Sequence, residues 1–213
     1  MQTRKNYLGS ASPRRRELLE QIGISFEVRV SDKEEVYHSL IPEEIVKELA
    51  LSKAENVADD LREKQEQVKQ ISFDKKNNVL LDTIVIGADT IVVSDGSILG
   101  KPKDEADAVR MIRSLQGRSH KVYTGVAILD YDDEGKRKSV VHAVETEVFV
   151  NPMSDEEIRE YAATGEPLDK AGAYGIQGQF AAYIERIDGD YYNVVGLPVS
   201  YVYRQLKEIA EKD

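Results

Sequence analysis

The stretch Thr83-Ile-Val-Ile-Gly-Ala-Asp-Thr90 decides how this chain must fold. Residues 83–88 are apolar or small without a break, so they do not alternate. A strand with one wet face alternates; an unbroken apolar run of this length suits a central strand covered on both sides. Covering both faces takes helices, which places the chain in the α/β class. The run ends in Asp89, and a carboxylate at the end of a buried strand stands where α/β folds bind ligands. Asp89 is either a metal ligand and proton acceptor or an ordinary aspartate in a strand-end turn.

Downstream, residues 90–93 and 98–99 read as a hairpin closed by Asp95-Gly96. A helix over 104–115, capped by Asp104, leads to a strand over 120–129. A turn at 132–135 then opens a long strand running through Val150. Ser154 and Glu157 form a capping box for a helix that stops at Gly165. Residues 170–178 are a glycine-rich loop. Two strands, 180–187 and 190–195, are expected around Asp188-Gly189, and Pro198 opens a last helix carrying Val202, Leu206 and Ile209.

Upstream, Ser12 and Pro13 open a helix over 12–22, followed by an alternating strand over 24–30. Pro42 opens a helix over 42–58. Residues 59–78 are polar and read as a helical extension or a surface loop. Hairpin-linked strands among helices argue for a mixed sheet rather than a doubly wound parallel one.

Composition narrows the chemistry. The 213 residues carry 29 basic and 39 acidic side chains, a net charge of −10, which disfavours a nucleic-acid partner. No apolar run reaches the roughly 20 residues needed to span a bilayer, and no signal region follows Met1, so a cytoplasmic protein with no membrane partner is expected. The chain has no cysteine and only three scattered histidines, His38, His120 and His142. Any metal must therefore be held by oxygen, which points to Mg²⁺ or Mn²⁺.

Four motifs could carry chemistry. Gly9-Ser-Ala-Ser-Pro-Arg-Arg-Arg16 enters a helix N-terminus, where free N–H groups attract anions and arginines can fork onto phosphate. It reads equally as a capped surface helix, although three arginines oppose the helix dipole there. Gly87-Ala-Asp-Thr90 carries Asp89. Leu99-Gly-Lys-Pro102 offers Lys101 to a phosphate but is not a Walker A loop: Gly96 and Gly100 are one residue too close, and Pro102 replaces the hydroxyl residue. Asp169-Lys-Ala-Gly-Ala-Tyr-Gly-Ile-Gln-Gly178 is a flexible connection or a ligand loop in which Lys170 meets phosphate and Gln177 reads a base edge. Glu34-Glu35 could share a metal with Asp89. Lys53, on an otherwise apolar helix face, either snorkels or points into a cleft.

In this order, Gly9-Ser-Ala-Ser-Pro-Arg-Arg15, Gly87-Ala-Asp-Thr90, Gly100-Lys-Pro102 and Lys170-Ala-Gly-Ala-Tyr-Gly-Ile-Gln-Gly178 resemble the Maf family, from about residue 7 to residue 209. The resemblance implies a single domain over 1–213 with an ITPase-like fold, an elongated mixed sheet flanked by helices with a cleft between two lobes. It implies a divalent-metal nucleoside triphosphate pyrophosphatase, often dimeric, with a house-cleaning role against non-standard nucleotides and a link to septum arrest. Arg14, Thr90 and Gln177 match the branch selective for dTTP and UTP. On this basis Asp89 is the catalytic base, Asp89 and Glu34 hold the metal, and Ser10, Arg15, Lys53, Lys101 and Lys170 bind the triphosphate. Arg14, Thr90 and Gln177 select the base. The segment 59–82 is longer than in typical members and reads as an extended surface segment.

Overall fold

The computed structural model describes residues 4–34, 36–71, 82–132 and 134–211, without the side chains of 67–71. Seven strands form one mixed sheet. In chain order the elements are β1 (Lys5–Leu8), α1 (Pro13–Gln21), β2 (Glu27–Val28), α2 (Pro42–Ile71), β3 (Thr83–Ser94), β4 (Ser97–Leu99), α3 (Glu105–Leu115), β5 (Ser119–Tyr131), β6 (Arg137–Val150), α4 (Asp155–Ala163), β7 (Ile184–Asp188), α5 (Tyr191–Val195) and α6 (Val199–Ala210). The sheet order is β2-β1-β3-β5-β6-β7, with β4 paired to β3. Strands β1, β2 and β3 run parallel; β3 through β7 pair antiparallel. Among the described residues no helix is long and apolar enough to cross a membrane.

Strand β3 is covered on both faces, as its apolar run requires. Ile84, Ile86, Ala88 and Val92 pack into the main core with residues of α1, α3, α4 and α6. Val85 packs on the other face with Ala50, Ala54 and Val57 of α2, and Ile91 and Val93 lie with Ile45, Val46 and Leu49. The period of two carries through the polar pair, so Asp89 belongs to the α2 face and Thr90 to the opposite one.

Helix α2 lies very close to the sheet at two glycines. A Cβ on Gly87 would stand 2.2 Å from the Ala50 carbonyl, and one on Gly125 would stand 2.0 Å from that of Val46. Any side chain at either position would lift the helix. This close approach brings Lys53, one turn past Leu49, down onto Asp89.

The sheet also has a notch. Strand β1 pairs with β3 only as far as Leu8 opposite Ile86, and β4 pairs from Val92 onward. The other edge of β3 is occupied by β5 from Val85 to Val93, so β1 and β4 share one edge. Between them, residues 87–91 have no strand neighbour on that edge among the described residues, and the two faces of the sheet meet there.

Several expectations need correction. The strand expected over 24–30 is reduced to Glu27–Val28, because its partner β1 ends at Leu8 and leaves no further ladder. The helix expected over 42–58 continues to Ile71, and Leu61 still packs against the second core cluster. Of the polar segment, 72–81 lies outside the described residues. Residues 180–183 belong to a 3₁₀ turn, Gln179–Tyr183, and 190–195 is helical rather than extended. Tyr-Tyr-Asn-Val-Val favours a strand by composition. Tertiary bonds override it: Asp190 caps Tyr192 N, and Asn193 bonds into β5 and β6.

The other expected ends hold closely. The two-residue hairpin turn has Asp95 and Gly96 at φ 48° and 74°, the left-handed pair that a tight hairpin needs. Asp104 caps α3 through Asp107 N, and the Ser154–Glu157 capping box is complete.

Candidate active site

A cavity of about 430 Å³ opens at the notch. The loop from β1 into α1 supplies Ser10, Arg14 and Arg15; α2 supplies Lys53; β3 supplies Asp89 and Thr90. Lys101 follows β4, and the glycine-rich loop supplies Asp169, Lys170 and Gln177. Five cations thus face one cavity with two carboxylates, in a chain whose net charge is −10. Val92, Val122, Val194 and Ile176 give it an apolar side.

Arg15 is the most firmly held of these groups. It is 8% exposed and donates from Nε to the Gly196 carbonyl (2.8 Å), from one terminal nitrogen to Ser10 Oγ (3.0 Å) and from the other to Thr90 Oγ1 (3.0 Å). Ser10 Oγ also accepts from Ser12 N at 3.3 Å. With both lone pairs engaged, the hydroxyl has only its proton to offer, which suits it to donate to an anionic oxygen. Lys53 Nζ pairs with Asp89 Oδ1, both largely shielded from solvent.

On the opposite wall, Asp169 bridges two cations. It accepts from Lys170 Nζ at 2.6 Å and from Arg14 at 3.2 Å. Burial works to raise the Asp169 carboxyl, but Lys170 and Arg14 together outweigh it and hold it below the ordinary carboxylate range. Lys170 also donates to the Glu166 carbonyl at 2.6 Å. The loop itself is clamped. Gly172 N donates to the Gly100 carbonyl (3.0 Å), which seats Lys170 beside the segment carrying Lys101. Glu166 accepts from Gln179 N (3.0 Å) and from Tyr161 Oη (2.9 Å), so tightly that a Cβ on Gly178 would collide with it at 2.1 Å. The glycines serve close packing, not slack.

The family model described as Maf-like protein matches residues 5–209. The chain belongs to the Maf family. It is 46% identical over 202 residues to a dTTP/UTP pyrophosphatase of Agathobacter rectalis, covering 95% of this chain and 96% of the relative. It is 47% identical over 208 residues to one of Bacillus cereus, covering 96% and 95%. A third, from Carboxydothermus hydrogenoformans, is 43% identical over 204 residues, covering 96% and 98%.

In this Maf chain nine of the ten residues singled out in the sequence line this cavity: Ser10, Arg14, Arg15, Lys53, Asp89, Thr90, Lys101, Lys170 and Gln177. The tenth, Glu34, is exposed between β2 and α2 and does not line it; Glu35 lies outside the described residues. Gln177 is exposed at the rim. Asp169 joins the cavity without a sequence signal of its own beyond its place beside Lys170. Thr124 and Asn193, both fully buried behind Thr90, gave only one hint: a lone asparagine in an apolar run.

The residues present fit a hard divalent cation. All candidate donors are oxygens, no histidine lines the cavity, and among the described residues no group of three or more acidic or histidine side chains forms a cage. One carboxylate completed by substrate phosphates and water is the usual setting for Mg²⁺.

Proposed function

We propose that this Maf chain hydrolyses dTTP and UTP, and modified pyrimidine relatives of them, to the nucleoside monophosphate and pyrophosphate. The observation that carries the reading is the convergence of Arg14, Arg15, Lys53, Lys101 and Lys170 on one cavity beside Asp89. Its volume suits a single nucleotide, and near full-length relatives bear the name of this activity.

Arg15, Lys53, Lys101 and Lys170, with Ser10 and the N–H groups of the loop before α1, neutralise the triphosphate. They hold it where charge develops on the departing pyrophosphate. Asp89 orients a water in line with the α-phosphorus and accepts its proton. As the new P–O bond forms, the bond to the bridging oxygen breaks, and pyrophosphate leaves with the electron pair. Asp89 would also hold the cation, Mg²⁺ or Mn²⁺, which when bound supplies Lewis-acid polarisation of the phosphate oxygens. Glu34 as a second ligand rests on the family resemblance alone. Gln177 and Arg14 select the pyrimidine, the amide matching an O4 acceptor and an N3–H donor. A cytoplasmic homodimer acting in nucleotide house-cleaning, with a link to septum arrest, belongs to the same reading.

The test is pyrophosphate release by the purified protein with Mg²⁺ over a panel of dTTP, UTP, 7-methyl-GTP and the common nucleotides. Turnover confined to dTTP and UTP, and lost on chelation, supports the reading. Preference for a purine nucleotide overturns its substrate, and no release from any nucleotide overturns the activity.

A further inference from the structure

Behind Arg15 runs a chain of hydrogen bonds whose direction is forced by counting protons. Thr124 Oγ1 donates to the Asn193 carbonyl at 2.9 Å, which uses its only proton. Its 2.9 Å contact with Thr90 Oγ1 must then have Thr90 as the donor. With that proton used, Thr90 meets Arg15 as an acceptor, at 3.0 Å. The polarity therefore runs one way, from the Arg15 guanidinium through two hydroxyls to a backbone carbonyl. Thr124 and Asn193 are 0% exposed and touch no ligand space.

The chain closes on itself through α5. Gly196, which caps that helix, accepts Arg15 Nε at 2.8 Å, so α5 holds the guanidinium directly at Nε and, through the two hydroxyls, at one terminal nitrogen. Helix α5 is in turn tied to the sheet by Asn193. Its amide donates to the Val122 carbonyl of β5 (3.1 Å) and to Thr146 Oγ1 of β6 (2.8 Å). Thr146 Oγ1 also exchanges bonds with the Asp190 backbone at 3.0 and 3.1 Å.

We infer that Thr124 and Asn193 are positioning residues that aim Arg15 at the triphosphate, and that Thr90 acts through Arg15 rather than by donating to the base. This rests on the functional reading above and replaces the base-selecting role that the family resemblance implies for Thr90. A Thr90 hydroxyl whose proton is held by Thr124 cannot also donate to a pyrimidine carbonyl. Misplacing a phosphate-binding group by about 1 Å can cost on the order of 100-fold in rate, so loss of a hydroxyl two hydrogen bonds away from Arg15 can be read in turnover.

The experiment is a double-mutant cycle on the full chain. Thr124→Val keeps β-branching and removes the hydroxyl; Thr124→Ser keeps the hydroxyl. Expected for Thr124→Val is a kcat/KM loss of roughly 10- to 100-fold, a several-fold weaker affinity for inorganic triphosphate by calorimetry, and recovery of both in Thr124→Ser. In an Arg15→Ala background, Thr124→Val should have no further effect. Thr90→Val repeats the test at a partly exposed position should Thr124→Val fail to fold. Its loss should vanish in the same background, and its preference for UTP over CTP, whose ring carries an amine in place of the O4 acceptor, should stay that of the parent. Wild-type values in Thr124→Val, or a loss that adds in full to that of Arg15→Ala, would overturn the inference. So would a changed pyrimidine preference in Thr90→Val. The calorimetric arm needs no turnover, so failure of the inference is distinguishable from failure of the proposed activity.

Discussion

Asp89 and Thr90 are neighbours in sequence yet face opposite sides of the sheet, and both reach one cavity because the sheet is notched beside them. Their chemistry differs accordingly. Asp89 meets a lysine that a polyphosphate can attract away from it, whereas the Thr90 hydroxyl is held between two protein groups. Asp89→Asn keeps the shape and removes the negative charge. It should lower kcat by orders of magnitude while the protein still folds, as read by pyrophosphate release and by calorimetry. His120 gives a second prediction at this scale. It is 3% exposed, bonds Tyr174 Oη at 2.7 Å, and leaves Nδ1 without a partner. Burial lowers its pKa from 6.5 to about 4. Between those values the unfolded chain binds a proton that the native chain does not, so stability falls as pH falls through that window. The full effect, below pH 4, is about 3 kcal/mol. Thermal melts from pH 7 to pH 4.5 should show a steeper decline for the wild type than for His120→Gln.

Helix α2 is the element on which the site turns. It delivers Lys53 to Asp89 only because Gly87 and Gly125 let its backbone touch the sheet. Gly125→Ala should destabilise the protein by about 1–3 kcal/mol through overpacking, measured by urea denaturation, and should depress turnover in whatever remains folded. Ser154→Ala offers the contrast. It removes the capping box of α4, remote from the cavity, at about 1 kcal/mol, and kcat should not change. A helix end affects stability alone; a helix seat affects stability and catalysis together.

At the scale of the whole molecule, an acidic chain gathers five cations into one cleft. Attraction of a triphosphate is then local, and added salt should weaken it. As the screening length falls from about 10 Å at 0.1 M to about 3 Å at 1 M, KM for dTTP should rise severalfold while kcat changes little, a split readable in steady-state kinetics.

Strand β3 was legible because burial on both faces leaves an unmistakable apolar run. The caps of α3 and α4 and the Asp95-Gly96 turn were legible because each is settled by bonds between residues a few positions apart. Nine of the cavity residues were legible because all but Lys53 stand in short ordered motifs of glycines and polar or charged residues, and Lys53 stands out as a charge on an apolar helix face. Helix α5 was misread, since aromatic and β-branched residues favour a strand until Asp190 and Asn193 find partners some 45 to 70 positions away. The sequence by itself determined the class of fold, the family and the charges available to the site, because those follow from composition, periodicity and local bonding. Only the tertiary structure decided that these charges meet at a notch in one sheet, that Thr90 is bound to Arg15, and that Glu34 stands apart. Such facts depend on contacts between distant segments, whose distances no local pattern encodes.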